Sequence, residues 1–252
     1  MIKALLPESF KHKTVQQLVR LGKPNHGGFL VAPKDIENSE LLISLGLTEE
    51  WSFERDFVTT KQMPVLAYGR SVGKRYLTEQ FFRSLLSIHK PKLVWYWLRT
   101  LINYRKFFLG DNTHIEQLIG PKFSENYTTM QEVFDSVDAK NIYLKIDIEG
   151  NEYRILDDLI CNQTRITGLV IEFHDCDIHI QRIQEFIEAF SLSVIHIHAN
   201  NYAPVRVCSG LPLVLDMTFS ASQEAEADCV YPHPLDMPNN PEAAEIKIFF
   251  TA

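Results

Sequence analysis

The chain has 252 residues, 45% of them hydrophobic and 23% charged, which excludes a disordered or collagen-like polymer and a miniprotein stapled by disulfides. With 25 basic and 32 acidic residues its net charge is −7, the wrong sign for a general nucleic-acid binder that must neutralise phosphates. Cys161, Cys176, Cys208 and Cys229 form no CxxC pair, so free thiols in a reducing cytosol are expected rather than a zinc knuckle or a redox dithiol.

Periodicity predicts the following elements. Thr14–Arg20 reads as a short helix, and Leu41–Leu47 (LLISLGL) as a strand ending at Gly46. Trp51–Val58 reads as one or two helical turns, and Pro64–Tyr68 as a strand. Lys74 to about Ile88 is helical in pattern, Pro91 interrupts it, and a second helix runs to Phe108. Thr129–Val137 is a helix leading into the strand Ile142–Ile148 (IYLKIDI). Glu152–Ile160 reads as helix and Ile166–Phe173 (ITGLVIEF) as strand. Ile180, Ile183, Phe186, Ile187 and Phe190 form one helical stripe, followed by the strands Ser193–His198 and Leu213–Phe219. Strands alternating with helices, closed by two strands with no helix between them, predict a mostly parallel sheet covered on both faces, with an antiparallel final pair. Right-handed crossovers then bring the carboxyl ends of the parallel strands to one edge, where such sheets bind ligands.

Three strands end in polar clusters on that edge: Lys145-Ile146-Asp147-Ile148-Glu149-Gly150, Glu172-Phe173-His174-Asp175 and His196-Ile197-His198-Ala199-Asn200-Asn201. Carboxylates, imidazoles and amides converging on one cleft have the composition of an active site. Each also has a plainer reading. Asp147 and Glu149 could cap the helix near Glu152; His196 or His198, on one face of a strand, could be a satisfied buried histidine; Asn200-Asn201 could be turn residues. Asp147, Glu172 and His174 also suit a divalent metal ion, although spacing alone does not establish one. HExxH, the P-loop GK[ST] and GxSxG are all missing, which removes support for a zincin protease, an NTPase and a nucleophile-elbow hydrolase.

Charge is distributed unevenly. Phe81–Gly110 holds six basic residues, no acid and eight aromatics, whereas Val207–Ile246 holds seven acids and neither Lys nor Arg. The basic-aromatic stretch suits a lid, a membrane-surface helix or a docking face for an anionic substrate, or else core packing with a solvated basic edge. The first thirty residues lack a signal-peptide pattern, and no uncharged run reaches the roughly 18–20 residues of a membrane span. A cytoplasmic protein is expected, with at most peripheral membrane contact.

The segment LKIDIEGNEYRILDDLI, Leu144 to Ile160, resembles the strand-four signature of the FkbM-like family of S-adenosylmethionine-dependent methyltransferases. GLVIEFHD, HIHANNY and PLVLDMTF continue the likeness in order, and HGGFLV (His26–Val31) and SLGLTEEWSFERDF (Ser44–Phe57) are similar to the opening strand and cofactor loop of one branch. The likeness runs from about Arg20 to Phe219. It implies a Rossmann-like class I methyltransferase fold, α/β, a mostly parallel sheet with a terminal antiparallel strand. Around it stand a basic-aromatic helical insertion at about 81–110 and a C-terminal strap at about 220–252 of one domain. It further implies S-adenosylmethionine as cofactor, lined by Ser44, Leu45 and Gly46 with Glu54 close by, and O-methylation of a sugar hydroxyl in a glycan, glycolipid or natural product. Within that frame Asp147 or His174 is the expected general base, with Glu149, Glu172 and His198 orienting the acceptor or a divalent ion. Two departures stand out. The cofactor loop has one glycine, and Gly69-Arg70 occupies the end of the second strand where an acid usually holds the ribose. An inactive methyltransferase-like binding module and a metal-dependent hydrolase are the alternative readings.

Overall fold

In the computed structural model, which describes residues 2–15, 17–86, 89–221 and 226–251, seven strands make the central sheet. In chain order they are β1 (Leu41–Leu45), β2 (Val65–Tyr68), β3 (Thr113–Ile115), β4 (Ile142–Ile146), β5 (Ile166–Phe173), β6 (Ser193–Ala199) and β7 (Leu215–Ser220). The helices are α1 (Pro33–Asn38), α2 (Ser52–Thr60), α3 (Lys74–Leu85), α4 (Pro91–Phe107), α5 (Met130–Asp135), α6 (Leu156–Cys161) and α7 (Cys176–Ala189). Across the sheet the strands lie in the order β6-β7-β5-β4-β1-β2-β3, all parallel except β7, which is antiparallel to both neighbours. This is a Rossmann-like α/β fold, a doubly wound sheet closed by one reversed strand.

The period-two alternation of the strands divides the core. Leu41, Ile43 and Leu45 of β1 and Ile142, Leu144 and Ile146 of β4 pack on the side of Val133, Phe134, Leu156, Leu159, Ile183 and Phe186 from α5, α6 and α7. Leu42 and Tyr143 face the other way, against Phe53 and Phe57 of α2, Leu77 of α3, and Leu101 and Tyr104 of α4. Thr129 starts α5 with a capping box: its hydroxyl accepts from the Glu132 amide at 3.1 Å, and the Glu132 carboxylate accepts from the Thr129 amide at 3.1 Å.

The segments around Thr14–Arg20 differ from the helix expected there. Lys13–Val15 pairs with Glu226–Asp228 and Val19–Leu21 pairs with Phe29–Val31, while Gln16 lies outside the described residues. Phe29–Val31 is therefore one arm of a hairpin, and β1 opens the sheet in place of His26–Val31. The helix expected over Glu152–Ile160 is split into a 3-10 turn, Glu152–Arg154, and α6. Ile88, the expected end of α3, lies outside the described residues, as do 222–225 and 252 of the C-terminal segment. That segment ends in the strand Ile246–Thr251, which lies parallel to Ile2–Pro7. No disulfide joins the cysteines among the described residues. Among those residues, no helix is long and apolar enough to cross a membrane.

Candidate functional site

The strand order reverses between β1 and β4: the chain leaves β1 toward β2 on one side, and β4 is followed by β5 on the other. Helices following the two strands cover opposite faces, so a crevice opens outside their carboxyl ends. Gly46 and Asp147 meet there. The Asp147 amide donates to Leu45 O at 3.0 Å and the Gly46 amide to Tyr68 O at 2.9 Å. Gly46 has φ +92°, and a Cβ on it would overlap the Asp147 carbonyl. Only glycine allows the two strand tips to come this close.

Above the tips is a cavity of about 270 Å³, lined by residues 46–48, 68–71, 117–119, 147–149 and Asn151. Its walls are apolar at Leu47, Tyr68, Leu118, Ile119 and Ile148, and polar at Thr48, Arg70, Ser71, Gln117, Asp147, Glu149 and Asn151. An apolar slot with a few polar groups suits a flat heterocycle carrying a polar tail. Asp147 Oδ1 is buried and has no hydrogen-bond partner among the described residues, so it calls for a donor from a ligand. The absence of an acid at the tip of β2 has a steric cause: a Cβ at Gly69 would lie 2.7 Å from the Leu47 amide nitrogen. The loop after β1 leaves no room for a side chain there.

Asp147, Glu149 and His174 each place a ligand-capable atom within 4.8 Å of the other two. The turn that presents them is held by Glu152, a buried carboxylate accepting from the Ile148 amide at 3.0 Å and the Gly150 amide at 3.0 Å. It also meets His174 Nδ1 at 3.2 Å. Glu149 and Asp175 sit in left-handed backbone at φ 54° and 50°, costly conformations for residues with a Cβ that re-aim the chain at the ends of β4 and β5. His174 Nε2 is 3.5 Å from Glu149 Oε2 and 3.5 Å from Glu172 Oε1. Burial alone would lower the His174 pKa, but the Glu152 hydrogen bond and the surrounding carboxylates push it up to about 9. The imidazole is thus a cation at neutral pH and stabilises anions beside it. Burial raises the Asp147 pKa, opposed by Lys145 and His174.

These facts separate two roles that the sequence leaves joined. His174, held protonated by its carboxylate neighbours, is a poor proton acceptor at neutral pH, which leaves Asp147 as the candidate base of the pair. A divalent cation on Asp147, Glu149 and His174 would have to displace that proton, a penalty of roughly 100-fold at pH 7 for a group titrating about two units higher. Glu172, also expected near a metal, stays 3.5 Å from His174 but is not one of the three groups that converge, and it is shared with β6 and β7. It accepts from Asn200 Nδ2 at 3.1 Å, and burial together with Asp216 raises its pKa well above the usual range.

The remaining residues expected at the site lie deeper. His198 is 5% exposed, with Nε2 2.6 Å from Glu245 and Nδ1 3.6 Å from Asp216. Glu172 and Asp216, which face each other across β5 and β7, lie between it and His174. Burial opposes the charge on His198, but the hydrogen bonds to Asp216 and Glu245, with Asp236 nearby, outweigh it and push its pKa up to about 10, so it is a locked cation in an ion network. Gly46 lines the cavity, whereas the side chains of Ser44 and Leu45 are buried in the core. Glu54 is fully buried, accepting from Ser44 Oγ at 2.5 Å and lying 3.3 Å from Lys145 Nζ. Ser44 stands opposite Lys145 in register, so the Glu54 carboxylate compensates a lysine buried in the sheet.

Beside this cavity lies a second one of about 920 Å³ between the 48–52 loop, α2 and α4; both are lined by Thr48 and Ser71.

No protein-family model and no curated protein sequence matches the chain. Among solved structures it is similar to a proposed RNA methyltransferase from Pyrococcus horikoshii, with 11% identity, TM-score 0.41 and coverage of 74% of this chain and 76% of that one. It is also similar to the precorrin-6y C5,15-methyltransferase of Geobacter metallireducens, with 13% identity, TM-score 0.40 and coverage of 75% and 85%. Fibrillarin of Methanococcus jannaschii aligns at 13% identity and TM-score 0.38 over 84% of each chain. At these values the likeness is one of fold, and the strand order and site geometry above stand independently of it.

Proposed function

We propose that the protein is an S-adenosylmethionine-dependent O-methyltransferase of the FkbM-like kind, acting on a sugar hydroxyl of a small molecule or glycan. The observation that carries this reading is the switch-point crevice, where a cavity with an apolar wall and polar ends meets the unpartnered Asp147 Oδ1. S-adenosylmethionine, when bound there, supplies an electrophilic methyl on a sulfonium.

The protein's own residues do the rest. Leu118, Ile119 and Tyr68 offer the flat apolar surface for the heterocycle, and Gln117 and Asn151 the amides around it. Asp147 accepts the hydroxyl proton of the acceptor, and its burial makes it a stronger base than a solvated aspartate. His174, cationic and fixed by Glu152, lies beside it and steadies the charge on the oxygen side of the reaction. Holding acceptor and donor in one crevice supplies several kcal/mol through alignment alone. The resemblance of Leu144–Ile160 to the family signature supports the oxygen acceptor.

Calorimetric titration with S-adenosylhomocysteine, with and without magnesium, tests the cofactor half of the reading. Micromolar binding that needs no metal is expected. Binding of metal without any binding of S-adenosylhomocysteine would replace the reading with a metal-dependent hydrolase.

A further inference from the structure

The larger cavity lies beside the crevice, and its chemistry is different. We infer that it receives the phosphate or diphosphate of a phosphorylated methyl acceptor. This inference rests on the methyl-transfer reading for the word acceptor, and on the cavity itself for the word phosphate.

Four cations line it: Lys23, Arg55, Arg99 and Lys106. Only two acids do, Glu49 and Glu50, and both are already engaged. Glu50 is ion-paired with Lys23 and accepts from the Ser52 amide at 2.9 Å. Glu49 accepts from the hydroxyls of Tyr76 at 2.6 Å and Tyr96 at 3.4 Å. Arg55 has one exposed contact, 3.4 Å to its chain neighbour Asp56. Arg99 and Lys106 make no ion pair among the described residues. They stand seven residues apart on α4, two turns along one stripe and roughly 10 Å between backbones, with Asn103 between them.

Uncompensated cations on one wall of a cavity in a protein of net charge −7 need a reason. Guanidinium and ammonium groups converging on a shared space match phosphate oxygens. Tyr96 and Phe107, on the same wall, offer ring faces to the sugar or base that a phosphate ester carries. Because Thr48 and Ser71 line both cavities, a ligand anchored by its phosphate under α4 can extend a hydroxyl toward the crevice. The phosphate could belong to a soluble ester or to a lipid head group, and the two are told apart as follows.

Calorimetry of the full chain with inorganic diphosphate, and co-sedimentation with phosphatidylglycerol against phosphatidylcholine vesicles, are compared for the native protein and the double variant Arg99→Gln/Lys106→Gln. Both side chains are exposed, so the variant is expected to melt with the native protein. Diphosphate binding weakened at least tenfold in the variant, with S-adenosylhomocysteine affinity within twofold of native, supports a soluble ester. Binding to phosphatidylglycerol vesicles alone, lost in the variant, supports a lipid head group. Absence of both, or binding indifferent to the double substitution, overturns the inference. If diphosphate binds as expected but S-adenosylhomocysteine does not, the anion site stands and the methyl-transfer reading falls.

Discussion

Gly46→Ala probes the contact on which the crevice depends. Glycine at this position has φ +92°, and an L-residue pays about 1–2 kcal/mol for left-handed backbone. The added methyl group would also overlap the backbone carbonyl of Asp147, which cannot swing aside as a side chain could. The tips of β1 and β4 must separate, weakening the bond from the Asp147 amide to Leu45 O. With the backbone cost this amounts to about 3 kcal/mol, in the upper range for a single substitution. For a chain of this size that lowers the melting temperature by roughly 6–12 °C. Because Gly46 and Asp147 both line the cavity, affinity for S-adenosylhomocysteine should fall at least tenfold, as expected when binding groups shift by about 1 Å. Differential scanning calorimetry and ligand titration on the same preparation measure both effects. A variant with native melting temperature and native affinity would refute the close approach of β1 and β4 as the organising feature of the site.

Replacing Asp147 with Asn keeps the shape of the site but removes the base, so kcat should fall on the order of 100-fold or more while S-adenosylhomocysteine still binds. Unchanged turnover would remove Asp147 from that role. His198 has a folded pKa of about 10, above its ordinary 6.5, so its stabilisation is complete below pH 6.5 and is lost as pH rises through about 10. The urea midpoint of the native protein should therefore fall between pH 7 and 10, and His198→Asn should be less stable at pH 7 with a shallower decline; parallel curves would contradict the ion network. Thr129→Ala, which removes the capping box of α5, should cost about 1 kcal/mol by urea denaturation without altering ligand affinity.

The parallel strands other than β3 are legible because each is a short, largely apolar run bounded by turn residues. β4 and β5 are buried on both faces and read directly as LKI and LVIEF. Thr14–Arg20 misleads because its spacing fits a helical turn, whereas pairing with Glu226–Asp228, some 200 residues away, decides its conformation. β3 has only three residues at the sheet edge and too little pattern to be seen. At the site, Asp147, Glu149 and His174 follow from their positions at strand ends, since the topology brings those ends together. Glu152 was missed because its carboxylate folds back from a 3-10 turn, although a carboxylate two residues after Gly150 is the available signal. Ser44 and Glu54 were read as cofactor contacts, but Lys145 in the middle of a buried strand already required a counter-ion on that face.

A crystal structure of the protein grown with S-adenosylhomocysteine tests the central claim most directly. The ligand is expected in the crevice between β1 and β4, against Gly46, Tyr68, Ile119 and Asp147, with its sulfur directed toward the Asp147–His174 pair. Density for the ligand elsewhere on the molecule, or its sulfur turned away from Asp147, would contradict the account.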